Sequence, residues 1–312
     1  MLLAFGMIVL GIALLWGGAE AMVKGAVKLA LDLGVPALIV GLTVVAITTS
    51  LPELFASVAA QVTSAGGDVA LGNVVGSNIA NLGLVLGLAL LIRPIDVPSV
   101  IKKREMPLVF AASAVLFILT ASGSVSRLKG LVLLVGMVGY TIYQLKIARQ
   151  EESIARQALA QEVLPKLSLG REIFLVVLGV VLLVLGAGAL VKGAASIAHH
   201  FGLSPIVIGV TIVAIGSSLP EIATVIVASI KKRTDLILGN VFGSNIYNIT
   251  MVAAVAALVK PIEFSPPMLY LDIPVMLGFT VLTWGLIHFK KKLTRWHGGL
   301  LLGLYVLYLI NL

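Results

Sequence analysis

The chain has 312 residues, of which 59% are hydrophobic and 12% charged, with a mean hydropathy of +1.12. Soluble domains carry roughly 25% charged residues, so an ordinary water-soluble fold is excluded. The length leaves room for about ten apolar spans of about 20 residues joined by short links. With no cysteine, disulfides, thiolate metal sites and cysteine nucleophiles are also excluded. The net charge of +8, from 22 Lys and Arg against 14 Asp and Glu, would suggest nucleic acid in a soluble protein. In a membrane protein its division between loops matters more than its sum, and no nucleic acid partner is expected.

Long apolar runs fall at 2–19, 36–61, 69–92, 106–122, 128–146, 172–191, 204–230, 236–259, 268–288 and 296–312. The first begins at Leu2 without a basic leader or a small-residue cleavage site, which makes it a retained helix, not a signal peptide. With the N-terminus outside, 18 basic residues fall on the cytoplasmic side, among them Lys102, Lys103, Arg104, Lys231, Lys232, Arg233 and Lys290. Four fall outside: Arg127, Lys129, Lys192 and Lys260. A ratio of 18 to 4 sets the orientation, with ten spans and both termini outside. The expected fold is an all-α integral membrane protein in a lipid bilayer, with no obligatory protein partner. The one sizeable polar stretch, 147–171, reads as a cytoplasmic linker with a short surface helix and no acidic calcium-loop pattern.

The chain repeats itself. Residues 34–61 and 202–229 share eleven of 28 positions at an offset of 168, and residues 68–87 and 235–254 share eleven of 20 at an offset of 167. The halves, 1–146 and 172–312, are therefore duplicates of five spans each. Since five is odd, the second copy enters the membrane upside down. Inverted repeats place a shared site near the bilayer midplane, between matching interrupted helices.

Each half carries Ser-Leu-Pro-Glu inside an apolar span, at Ser50 to Glu53 and at Ser218 to Glu221. An ionisable group at the centre of a span costs roughly 2.5–3.5 kcal/mol, and no Lys or Arg lies in these runs to offset it. The competing reading is a protonated glutamate packed in a bundle. Pro52 and Pro220 lack an N–H and bend or unwind the helix, which frees carbonyls around Ala46 and Thr48 and around Ala214 and Gly216. The hydroxyls of Thr49, Ser50, Ser217 and Ser218 lie within a turn of the glutamates, although any one of them can bond back to its own helix instead.

A second motif, Gly-Asn-Val-x-Gly-Ser-Asn-Ile-x-Asn, fills 72–81 and 239–248. Gly72 and Gly76, and Gly239 and Gly243, form small faces for close helix approach. Ser77 and Asn81 share one face, as do Ser244 and Asn248. Asn73, Asn78, Asn240 and Asn245 lie elsewhere and are expected to make interhelical hydrogen bonds. Together the donors are all oxygens, a set that suits hard cations such as calcium or sodium. Two carboxylates balance one divalent ion, two sodium ions or two protons. Outside this constellation, His199 and His200 read as an external loop, His288 and His297 as a cytoplasmic end, and Asp68 and Asp235 as first-turn helix acids.

The four motifs in register resemble the alpha repeats of the calcium/cation antiporter superfamily, most closely its prokaryotic sodium/calcium exchangers. The resemblance covers essentially the whole chain. It implies alternating-access antiport in a prokaryotic inner membrane, with no cofactor and no enzyme activity. Sodium and calcium would share sites among the second, third, seventh and eighth helices. Carried over by residue, it makes Glu53, Glu221 and the carbonyls of Thr49 and Ser217 calcium ligands. Ala46, Ser50, Ser77, Ala214, Ser217, Ser218 and Ser244 become sodium ligands, with Asn81 and Asn248 completing the shell. Two positions depart from the pattern: Thr48 stands where the family usually has glycine, and Asn248 where several members have aspartate, an acid linked to potassium co-transport in some of them. Calcium/proton exchange is the runner-up. A cation channel and an intramembrane hydrolase fit less well, since no filter-like loop, Gly-x-Ser-x-Gly elbow or His-Glu-x-x-His pair is present.

Overall fold

The computed structural model describes residues 1–62, 66–150, 169–201, 214–290 and 292–311. Helices α1 (Leu2–Leu33), α2 (Ala37–Val62), α3 (Gly66–Ile92), α4 (Met106–Thr120) and α5 (Arg127–Gln150) make the first half. In the second half lie α6 (Leu169–His200), α7 (Leu219–Ile230), α8 (Thr234–Val259), α9 (Met268–Phe289) and α10 (Arg295–Ile310). Four two-residue strands lie at the helix ends: β1 (Ile95–Asp96), β2 (Ser124–Val125), β3 (Ile262–Glu263) and β4 (Lys292–Leu293). The protein is an all-helical membrane protein. Among the described residues seven helices are long and apolar enough to cross a membrane, namely α1, α2, α3, α5, α6, α8 and α9.

The helices outrun the apolar runs. α1 continues past Glu20, Lys24 and Lys28 to Leu33, where Gly34 turns the chain at φ 64° and Val35 donates back to the Ala30 carbonyl. Gly34 takes this left-handed conformation at no steric cost, and Pro36 follows. Likewise α6 extends to His200, so His199 and His200 end a helix and do not form the expected loop. The polar stretch behaves in the same way at its borders: α5 runs to Gln150 and α6 starts at Leu169. The surface helix expected between them lies outside the described residues, as do residues 204–213 of the seventh expected span.

Contacts between the halves are reciprocal. β1 pairs antiparallel with β4, joining Ile95 to Leu293, and β2 pairs with β3, joining Val125 to Ile262. Shifted by 167 or 168 residues, the first pairing becomes the second. The guanidinium of Arg127 donates to the Leu258 carbonyl at 3.2 Å, and that of Arg295 donates to the Leu91 carbonyl at 3.1 Å. The seam between α1 and α6 repeats the pattern. Glycines at every seventh position, Gly11, Gly18 and Gly25, meet Gly186, Gly179 and the Glu172 carbonyl, so the two helices run antiparallel at backbone contact. Small residues at such a spacing let two backbones approach without a clash.

The least exposed helix is α8: 89% of its apolar window is buried, against 28% for α1. Large apolar side chains of α1, including Phe5, Val9 and Trp16, face outward, where lipid replaces water. Many of the buried polar residues gather at the centre, on α2, α3, α7 and α8, while others such as Glu105 and Gln144 are buried elsewhere.

Candidate ion-binding site

The site is built where α2 and α7 break. Ser50 and Ser218 leave the helical path with ψ near zero (3° and 2°), and new helical segments start at Leu51 and Leu219. Pro52 and Pro220 cause this, since neither offers an N–H to the carbonyl four residues back. Glu53 and Glu221 consequently occupy the first turns of these segments, where the helix dipole favours a negative charge. Both are buried, at 0% and 1% exposure. All four carboxylate oxygens lack a hydrogen-bond partner among the described residues.

Around them the hydroxyls and amides pair crosswise. Thr49 Oγ1 donates to Asn240 Oδ1 at 3.0 Å, with Ser244 Oγ 3.4 Å away, and Ser244 Oγ lies 3.3 Å from the same amide oxygen. Ser217 Oγ donates to Asn73 Oδ1 at 3.3 Å. Each half therefore sends a hydroxyl across to the other half's asparagine.

Asn73 does more than the sequence suggested. Its amide donates to the Glu53 carbonyl at 2.9 Å and to Ser57 Oγ at 2.9 Å, while Ser57 donates to the Ala70 carbonyl at 3.2 Å. Further along the same face Gln61 donates to the Lys260 carbonyl at 3.0 Å. Ser57 and Gln61 follow Glu53 at intervals of four, the spacing of one helix face, and that spacing was the signal available in the sequence. In the second half Val225 and Ser229 hold the matching positions, and Ser229 bonds back to the Val225 carbonyl at 2.7 Å. Without an acceptor at Val225, Asn240 Nδ2 is buried with no partner among the described residues. Thr224, one turn from Glu221, is a second buried hydroxyl that the motif reading passed over.

The remaining expected ligands divide. Ser50 Oγ, Asn81 Oδ1 and both amide atoms of Asn248 are buried without partners among the described residues. Ser77, Ser218 and Ser244 are buried too, at 5%, 2% and 0% exposure. Ala46 is buried, but its carbonyl is not freed: it accepts from the Ser50 N–H at 3.1 Å, with Thr49 Oγ1 3.4 Å away, because the break falls after Ser50. Ala214 opens the short helix Ala214–Ser217. Thr48, the departure from glycine, turns its hydroxyl onto the Val44 and Val45 carbonyls at 2.7 and 2.9 Å. Two of the four asparagines depart from expectation. Asn245 bonds to the Val241 carbonyl of its own helix at 2.7 Å, and Asn78 has no partner among the described residues.

Gly239 and Gly243 do serve close packing. A Cβ on Gly239 would come within 2.8 Å of Gly41 Cα, and one on Gly243 within 2.6 Å of Ala46 Cβ. Asn81 and Asn248 each begin a wider π-helical turn, Asn81–Val85 and Asn248–Val252, an irregularity frequent at functional sites. Away from the site, Asp68 and Asp235 are first-turn acids as expected, and Asp68 Oδ1 accepts from the Ser265 N–H at 2.7 Å. His297 is a helix cap whose Nδ1 accepts from the Thr294 N–H at 2.9 Å. Among the described residues no three His, Cys, Asp or Glu gather into a metal cluster, so any bound cation would be shared by two carboxylates and neutral oxygens.

Fold and site define a multi-span helical membrane protein with an interior oxygen-donor centre. The chain belongs to the sodium/calcium exchanger protein family, whose pattern matches residues 3–146 and 171–312. It is 37% identical over 286 residues to the inner membrane protein YrbG of Escherichia coli K12, covering 90% of this chain and 88% of that one. With the sodium/calcium exchanger MaX1 of Methanosarcina acetivorans it shares 29% identity, covering 99% and 98%. Among solved structures, the sodium-calcium exchanger NCX_Mj soaked with zero Na+ and Ca2+ matches with a TM-score of 0.87 at 31% identity, over 100% of both chains. Exchangers are among its relatives, and it is a membrane antiporter of inorganic cations.

Proposed function

We propose that the protein exchanges calcium for sodium across a prokaryotic inner membrane, by alternating access at a midplane site centred on Glu53 and Glu221. The observation that carries this reading is the pair of fully buried carboxylates without hydrogen-bond partners among the described residues, on half-helices whose preceding residues make the reciprocal Thr49–Asn240 and Ser217–Asn73 bonds. Two carboxylates balance the charge of one calcium ion or of two sodium ions, so the cargoes compete for the same charge. The ligands are Glu53, Glu221, Thr49, Ser50, Ser217 and Ser218, with the carbonyl of Ala214 and the second lone pair of the Ala46 carbonyl, whose first accepts from Ser50, and Ser77, Asn81, Ser244 and Asn248 from the facing helices. Ten spans in two inverted repeats, 1–146 and 172–312, joined by a cytoplasmic linker at 147–171, provide the two-sided access, with both termini outside. The reciprocal strand and glycine contacts support the duplicated arrangement. No cofactor is needed; sodium and calcium are the cargo.

The test is calcium uptake into proteoliposomes with sodium, potassium and proton gradients imposed separately. Uptake driven by an outward sodium gradient is expected. Uptake driven by the proton gradient alone would replace sodium by protons as the counter-ion, and uptake with no opposing ion would make the protein a channel.

A further inference from the structure

Tyr247 immediately precedes Asn248 and is the largest fully buried side chain among the described residues. Its hydroxyl lies 3.0 Å from Thr141 Oγ1 on α5. Thr141 gives its single hydroxyl proton to the Met137 carbonyl at 2.9 Å, so Tyr247 is the donor of the pair. The Tyr247 ring also meets Tyr140 edge-on, with centroids 5.6 Å apart at 71°. Behind it the Tyr140 hydroxyl lies 3.5 Å from Glu105 Oε2, which accepts from Gln144 Nε2 at 2.9 Å, and Glu105 Oε1 accepts from Arg104 Nε at 2.6 Å.

Comparison of the halves separates what builds the fold from what serves the site. The tyrosine–acid contact occurs in both: Tyr308 donates to Asp272 at 2.8 Å at the positions matching Tyr140 and Glu105. The Tyr247–Thr141 bond occurs in one, since Ala80 and Leu309 hold the matching positions. Asn248 is therefore braced against α5 by its neighbour, and Asn81 is not. Asn248 starts a π-helical turn, where the regular helix ladder no longer fixes the backbone. Its amide carries no charge for a cation to pull into line, so its aim depends on prior placement.

Building on the exchange reading above, we infer that Tyr247, held by Thr141, is a positioning residue that sets the Asn248 amide oxygen toward calcium. Removing the bond frees the start of the turn, weakens calcium binding and leaves the rest of the cycle intact.

The experiment measures sodium-driven calcium transport and direct calcium binding for Tyr247→Phe, Thr141→Val, the double variant and Thr141→Ser. Loss of one neutral hydrogen bond corresponds to about threefold to tenfold. Each single variant is expected to raise the calcium half-saturation concentration by that factor at unchanged maximal rate. The double variant shifts it no further, and Thr141→Ser, which keeps the hydroxyl, behaves as wild type. Variants that stay within about twofold of wild type, that lose sodium and calcium handling equally, or whose effects add would overturn the inference. The wild-type protein run alongside keeps the two readings apart. Its failure to exchange would sink the exchange reading, while calcium binding to the solubilised protein would still score the positioning of Asn248.

Discussion

Gly18 and Gly179 face each other so closely that a Cβ on either would lie 2.9 Å from the other's carbonyl oxygen. A Cβ on the neighbouring Gly17 would meet nothing within 4 Å. The α1–α6 seam thus tolerates no side chain on one helix face and is indifferent on the next. Gly18→Val should destabilise the folded protein by about 1–3 kcal/mol, the usual cost of overpacking, and Gly17→Ala should not. Thermal melting of the purified protein reads the difference; equal melting temperatures would mean that the seam opens freely.

Glu53→Gln and Glu221→Gln keep the shape of the side chain and remove its charge. A divalent ion would then face one carboxylate in place of two, so either variant should abolish calcium transport while expression stays normal. Wild-type rates in either would remove the two-carboxylate site from consideration.

The half-helices that carry these acids are fastened unequally. Asn73, Ser57 and Gln61 tie Leu51–Val62 to its surroundings, whereas Val225 and Ser229 give Leu219–Ile230 no such tie. Opening free energies fall where polar ties are few. Amide hydrogen exchange should therefore be faster over 222–230 than over 54–62, and the reverse order would show that apolar packing holds the second segment as firmly.

The helical character, the breaks at Pro52 and Pro220 and the burial of both glutamates were legible in the sequence, because hydropathy and proline geometry act locally. Helix ends were less so: Glu20, Lys24 and Lys28 look like a boundary, yet α1 continues because the glycine seam and the Glu20–Lys231 ion pair at 2.8 Å carry it onward. The crosswise bonds were not legible. Asn240 and Asn245 are the same residue type five positions apart, and only the packing of α2 on α8 decides that one meets Thr49 while the other bonds back to Val241. Tyr247 offered a faint signal as the one bulky residue where the first repeat has Ala80.

The orientation rests on the division of basic residues. A reporter placed at Lys260, which is exposed beyond the end of α8, should be labelled by an impermeant reagent from outside the cell. Labelling from the cytoplasm alone would invert the arrangement of the termini.

Potassium provides the last test, through Asn248. This residue is fully buried and its amide has no partner among the described residues, so it can lend an oxygen but no charge. A potassium ion beside calcium would place three positive charges against the two carboxylates of Glu53 and Glu221. Unit charges about 4 Å apart at an effective dielectric near 20 repel by roughly 4 kcal/mol, which a neutral amide does not offset. Calcium flux should accordingly need no potassium, and potassium should not be carried. Asn248→Asp would add a third carboxylate to a crowded centre, whose mutual repulsion invites protons, so transport by that variant should depend more steeply on pH than the wild type. Calcium flux in vesicles with and without potassium, with rubidium as tracer, makes the comparison, and rubidium movement coupled to calcium in the unmodified protein would refute the charge argument.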